Sequence, residues 1–261
     1  SSEPLLQDIA RRTVERAFEF LPQDLSLVVW SYARLLLPEQ PLFSAVSAAA
    51  LSRHTEFAGQ NLANTMWAFA NVLHIDEDLF KSFVDVCLKN MSFFDALEIS
   101  TILWSCASVA FYNSTLFSDA IQCVLRMAHV LESQQLTSIA WAFSRVAHRN
   151  PQLYQCVASS LVSRSLPLEP SEINRLVWAF AYPGKPKEER TGRAGGFRDA
   201  SFLSYASSQA LQQMRRLDAL QASSIAWSFA TLSYRDQKLF DSLGSRFAGD
   251  GVLGEFESQN L

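Results

Sequence analysis

NLANTMWAFANV, residues 61–72, is the stretch on which the fold turns. It shows no strand-like alternation, and its apolar side chains recur three and four residues apart, as on one side of a helix. The same wording returns as QLTSIAWAFSRV (135–146) and QASSIAWSFATL (221–232). The shared tryptophan is Trp67, Trp141 or Trp227, and Trp30, Trp104 and Trp178 complete the column. The first four intervals between these tryptophans are 37 residues each and the last is 49. A fixed period in this range marks a solenoid, a stack of like supersecondary units. The longer interval is one period with a 12-residue insertion, visible as PGKPKEERTGRAGG, residues 183–196.

Other columns keep the same register. Five residues before each tryptophan stand Leu25, Leu62, Ile99, Leu136, Ile173 and Ala222. Two residues after it stand Tyr32, Phe69, Cys106, Phe143, Phe180 and Phe229. Thirteen residues after it come Phe43, Phe80, Phe117, Tyr154 and Phe240, with Leu203 in the fifth repeat once the insertion is removed. The expected fold is therefore all-α, an αα-solenoid of about six helix-turn-helix repeats of 37 residues, forming a single domain over residues 1–261.

Each repeat reads as two helices: an A helix carrying the tryptophan and a B helix opening on a Leu-Phe pair. A helices are expected near 23–36, 59–73, 95–110, 133–148, 170–182 and 218–233. B helices are expected near 4–19, 41–55, 77–90, 114–130, 151–164, 198–214 and 236–248. Start signals recur: Asp95 with Glu98 and Asp218 with Gln221 have capping-box spacing, and Asn113, Asn150-Pro151 and Asp236 suit B-helix starts. Both ends of the chain fall inside repeats, since Pro4-Leu5-Leu6 aligns with Pro41-Leu42-Phe43 and EFESQNL (255–261) mirrors EFAGQNL (56–62). The expectation is a piece of a longer array.

Composition narrows the function. Net charge is −4, from 26 acids against 22 Lys and Arg, so the chain as a whole lacks the basic footprint of a nucleic-acid binder. No apolar run has the length of a membrane span, and no membrane partner is expected. Cys87, Cys106, Cys123 and Cys156 show no C-x-x-C pairing and no histidine at zinc-ligand spacing. They read as small buried hydrophobes. Neither H-E-x-x-H nor G-x-S-x-G occurs. No cofactor, no metal and no enzymatic activity are expected. Gly184-Lys185 in the insertion lacks the glycine and Ser/Thr of a P-loop, and the insertion reads as a tolerated surface excursion.

On a helical wheel, at about 100° per residue, positions −5, −2, −1, +2, +3 and +5 from the tryptophan form a broad apolar arc. Positions −3, +1 and +4 form the opposite stripe. The tryptophan falls at the edge of the apolar arc, and each indole is expected to pack as core onto the adjacent repeat. The alternative, a ladder of rings for stacking bases, is the weaker reading. Position −6 (Asp24, Asn61, Glu98, Gln135, Glu172 and Gln221) reads as helix-start capping. At −3 stand Leu27, Asn64, Thr101, Ser138, Arg175 and Ser224, and at +4 Arg34, Asn71, Ser108, Arg145, Tyr182 and Thr231. These columns hold three arginines and no acid, and they vary from repeat to repeat. Varied hydrogen-bonding side chains at a fixed pitch suit a reader of one base per repeat. An ordinary solvated face would also vary.

The three quoted lines resemble heptatricopeptide repeats, and also the related 38-residue octotricopeptide repeats, over almost the whole chain. The chain departs from the octotricopeptide pattern in lacking its Pro-Pro-Pro-Glu-Trp-like signature, and it shows no RAP domain. The resemblance implies an organellar RNA-binding protein, mitochondrial or plastid, acting in RNA processing, stability, translation or ribosome assembly. It also implies base contacts from the A helices, which are expected to line a concave face. The expected partner is single-stranded RNA, with other proteins of an RNA-processing or ribosomal complex beside it. Arg34, Arg145 and Arg175 are assigned to phosphates or base stacking. Asn64, Asn71, Thr101, Ser108, Ser138, Ser224 and Thr231 are assigned to base edges, and Tyr182 completes the set. The rival is a protein-interaction scaffold holding a peptide or helix in the same groove, which the acidic balance favours.

Overall fold

A computed structural model describes residues 3–182 and 196–247. Among the described residues it contains thirteen α-helices and no strand. The αα-solenoid expectation holds. Residues 183–195 of the insertion and the end segment from 248, including the 255–261 echo of 56–62, lie outside the described residues.

The helices fall into two compact units, residues 1–124 and 125–261. The first unit holds α1 (Glu3–Arg16), α2 (Pro22–Arg34), α3 (Gln40–Ser52), α4 (Gly59–Asn71), α5 (Glu77–Asn90), α6 (Ala96–Ser108) and most of α7 (Ser114–Met127). Its A helices α2, α4 and α6 pack side by side, and α3 packs between α1 and α5 in the B layer. The second unit holds α8 (Ser133–Arg145), α9 (Pro151–Ser163), α10 (Pro170–Ala181), α11 (Ala200–Gln212), α12 (Ala219–Thr231) and α13 (Gln237–Phe247). There α10 packs between α8 and α12, and α11 between α9 and α13.

Helix starts follow the capping signals. Asp95 and Asp218 accept from the N–H of Glu98 and Gln221, whose side chains accept in return from the cap N–H. Asp76, Asn113, Asn150, Asp199 and Asp236 cap B helices in the same way, each on the N–H three residues on. The −6 column is therefore a capping column, as expected. Asp24, Glu98, Gln135, Glu172 and Gln221 all turn their side chains back onto the chain entering the helix.

The A helices stop about two residues earlier than the sequence pattern suggests. Position +6 is left-handed in five repeats: Leu36 (φ 55°), Leu73 (55°), Ala110 (56°), Ala147 (59°) and Ser233 (52°). The next N–H then reaches back to the +2 carbonyl, as from His74 to Phe69 at 3.0 Å and Phe111 to Cys106 at 2.8 Å. This is a Schellman stop made without glycine.

The core is built from the +2 and +13 columns. Tyr32, Phe69, Cys106, Phe143, Phe180 and Phe229 are all buried, as are Phe43, Phe80, Phe117, Tyr154 and Leu203. Two B-helix rings meet the +2 ring of the following repeat's A helix. Phe43 meets Phe69 edge-on at 5.1 Å, and Tyr154 meets Phe180 at 5.2 Å. Edge-to-face pairs of this kind add about 0.5–1.5 kcal/mol beyond the area they bury. Cys87, Cys106 and Cys123 are buried as expected, and Cys156 is half-buried. Burial pushes the Cys87 thiol up to about 12 and that of Cys106 well above its usual range, so both stay neutral.

Polar clamps tie three of the repeats to the one before. Arg53 donates to the Phe20 carbonyl at 2.9 Å and Arg164 to that of Leu131 at 2.6 Å. In the next repeat Gln213 takes the same place on Leu168, at 2.5 Å. Beyond the insertion the chain returns against α10. The Phe197 N–H bonds the Phe180 carbonyl at 2.8 Å, and a Cβ on Gly196 would lie 2.2 Å from that oxygen. Only glycine fits there.

Candidate nucleic-acid interface

The tryptophans are not fully buried, contrary to the core expectation, although Trp30 packs against Trp67 of the adjacent repeat as expected. Trp67, Trp104, Trp141 and Trp178 are half-buried, while Trp30 and Trp227 are 37% and 48% exposed. The reason lies in how the A helices meet. Position +1, assigned to the open stripe from sequence, is buried in five repeats: Ala68, Ser105, Ala142, Ala179 and Ser228. Position −4 is buried as Ser26, Ala63, Ser100 and Thr137. These small residues let neighbouring A helices approach on their two flanks. Between the flanks, within about 60° on the wheel, lie the tryptophan, +4 and −3. The indole thus belongs to the open stripe rather than to the apolar arc.

Position −7 falls on the same line and was not singled out from the sequence. Gln23, Gln60, Leu97, Gln134, Ser171 and Leu220 are all exposed. The signal was present, since seven residues are about two helical turns.

The predicted residues divide by what the structure does with them. Arg34, Arg145, Arg175, Tyr182 and Thr231 are exposed. Asn64, Thr101, Ser138 and Ser224 are half-buried. Asn71 is turned inward: its side-chain amide donates to the Ala33 carbonyl at 2.9 Å, closing the end of α2. The Ser108 hydroxyl oxygen is buried without a hydrogen-bond partner. Leu27, in the same column as Asn64, is 48% exposed.

Rings and cations are brought together on this stripe. In the first unit, Trp30 and Trp67 lie 6.3 Å apart, tilted by 41°. The Arg34 guanidinium stands 5.5 Å over the Trp30 ring, within cation–π range. In the second unit, Trp178 of α10 and Tyr182, the residue that follows the helix, lie 5.6 Å apart. None of Arg34, Arg145 and Arg175 forms an ion pair with a described residue, whereas Arg11, Arg12, Arg16, Arg53 and Arg216 all pair with carboxylates.

The acids are elsewhere. Asp76, Asp95, Asp199, Asp218 and Asp236 cap helix N-termini, and Asp24, Glu98 and Glu172 close the same turns. Partial positive charge at helix N-termini favours them there. The −7, −3, tryptophan and +4 positions of the six A helices carry three arginines and no acid. Among the described residues no group of His, Cys, Asp or Glu could hold a metal, and no helix is long and apolar enough to cross a membrane.

Residues 1–115 match the model of a family described as RNA-editing substrate-binding complex 6 protein. The matched segment covers α1 to α6, including Trp30, Trp67 and Trp104. No match to the chain is found among curated proteins.

Proposed function

We propose that this protein binds single-stranded RNA on the exposed stripe of its A helices, by recognition and not by catalysis. The observation that carries the reading is the composition of that stripe. Arginines without a carboxylate partner share it with partly exposed aromatic rings, and no acid of this net-acidic chain stands on it. Local charge then attracts phosphate although the whole chain is at −4. The match of residues 1–115 to an RNA-editing substrate-binding family supports an RNA-related role in a protein complex. Of the two organelles the repeat resemblance implies, that description suits the mitochondrion and gives no support to the plastid.

In this reading Arg34, Arg145 and Arg175 meet phosphates, a positioning role without sequence information. Asn64, Thr101, Ser138 and Ser224 offer donors and acceptors to base edges, while the Asn71 amide stays committed to Ala33. Changing Arg34, Arg145 and Arg175 together to Glu is expected to abolish binding to a single-stranded RNA oligonucleotide. Undiminished affinity in a variant with an unchanged circular-dichroism spectrum would place the site elsewhere and leave a protein scaffold as the better description.

A further inference from the structure

We infer that the tryptophans are base-stacking platforms, so that affinity for RNA rests on ring faces as well as on phosphate and base-edge contacts. This rests on the RNA-binding reading and adds to it what the RNA stacks against. A large ring keeps part of its face in water at the same place in every repeat, although its edges touch neighbouring side chains. The core is already filled by the −5, +2 and +13 columns, and the small residues at −4 and +1 are mostly buried on the flanks of the A helices. The indole is the bulky residue between those flanks. It shares its stripe with cations that have no carboxylate partner.

Two further features fit stacking. The guanidinium of Arg34 already sits over the Trp30 ring, and Tyr182 places a second ring beside Trp178. Aromatic faces with arginine nearby are the usual equipment for holding single strands with little sequence preference, because every base has a π face. Base-edge reading is correspondingly thinned, since Asn71 is spent on Ala33 and the Ser108 hydroxyl is buried. Packed helices stand roughly 8–10 Å apart, so successive platforms within a unit would meet successive unstacked nucleotides.

The test uses the whole chain and three probes of equal length: oligo(A), oligo(U) and an abasic ribose-phosphate oligomer. Stacking predicts oligo(A) tightest, because a purine offers the larger ring, and the abasic oligomer weakest. It also predicts quenching of tryptophan fluorescence by oligo(A) and none by the abasic strand. Trp67→Leu and Trp178→Leu should each weaken oligo(A) binding on the order of tenfold, the change that about 1.4 kcal/mol produces. Trp67→Phe, which keeps a ring, should recover part of the loss, while abasic binding should be the same in all variants. Equal affinity for oligo(A) and the abasic strand would overturn the inference and leave phosphate-driven RNA binding standing. So would oligo(A) binding that Trp67→Leu does not alter. No binding of any probe by the unmodified protein would overturn both readings. If a Leu variant fails to fold, the comparison of probes on the unmodified protein still decides.

Discussion

Replacing Leu73 by glycine is expected to stabilise the protein even though it deletes a side chain. Leu73 ends α4 at φ 55° and is 70% exposed. An L-residue in this left-handed region costs roughly 1–2 kcal/mol that glycine avoids. Glycine gives back about 0.5–1 kcal/mol through the extra freedom of the unfolded chain. Little burial is lost from so exposed a side chain. The net gain is then about 0.5–1 kcal/mol. Leu36 (φ 55°, 71% exposed) and Ala147 (φ 59°) hold the same place at the ends of α2 and α8. Summed over the three sites, the triple glycine variant should gain roughly 1.5–3 kcal/mol. Urea denaturation monitored by circular dichroism reads this as an upward shift of the midpoint at unchanged slope. Asparagine at position 73 should give a smaller gain, since it tolerates the conformation less well than glycine. Midpoints that fall for all three single glycine variants would refute the Schellman geometry.

Three further outcomes follow from the packing. Phe69→Ala removes a fully buried ring in contact with Phe43 and should cost about 3–5 kcal/mol; Trp67→Ala on the same helix should cost less despite the larger side chain, and equal losses in urea melts would return the indole to the core. Glu98, whose carboxyl burial holds above its usual range, loses folded stability as pH rises through that raised value; Glu98→Gln should therefore be more stable than the parent at pH 7 and equal to it below about pH 4.5, and a less stable variant at pH 7 would show the helix N-terminus outweighing burial. His74 packs between Phe43 and Phe69, and burial depresses its pKa against the opposing pull of Asp76, so the folded state resists the proton that the unfolded chain accepts near 6.5; stability should fall from pH 7.5 to pH 5, and His74→Phe, matching Phe111 one repeat on, should flatten that fall in a pH series of melts.

The period, the thirteen helices and most of their caps were legible in the sequence, because one register was written six times. The +2 rings and, but for the half-buried Phe240, the +13 rings are core for the same reason. Apolar character alone puts the tryptophan on the buried side of the helix. On the wheel it lies about as close to +4 and −3 as to the apolar +3. What breaks the tie is contact between neighbouring A helices at +1 and −4, a property of the stack and not of one helix. The early A-helix stops were hidden too, since Leu36, Leu73, Ala110, Ala147 and Ser233 carry no glycine signal. Within the stripe, chemistry pointed to the right columns, but it does not reveal that Asn71 is claimed by Ala33 or that the Ser108 hydroxyl faces inward.

A salt titration of RNA binding tests the central claim most directly. The observed association constant for a single-stranded RNA is measured between about 50 and 200 mM salt for the parent and for a variant with Arg34, Arg145 and Arg175 changed to Gln. Each phosphate contact on a single strand contributes about 0.7 to the slope of log K against log salt. If the three arginines meet phosphates, the variant's slope should be shallower by about 2, and its affinity lower at every salt concentration. Parallel lines of equal slope would show that RNA is held somewhere other than the A-helix stripe.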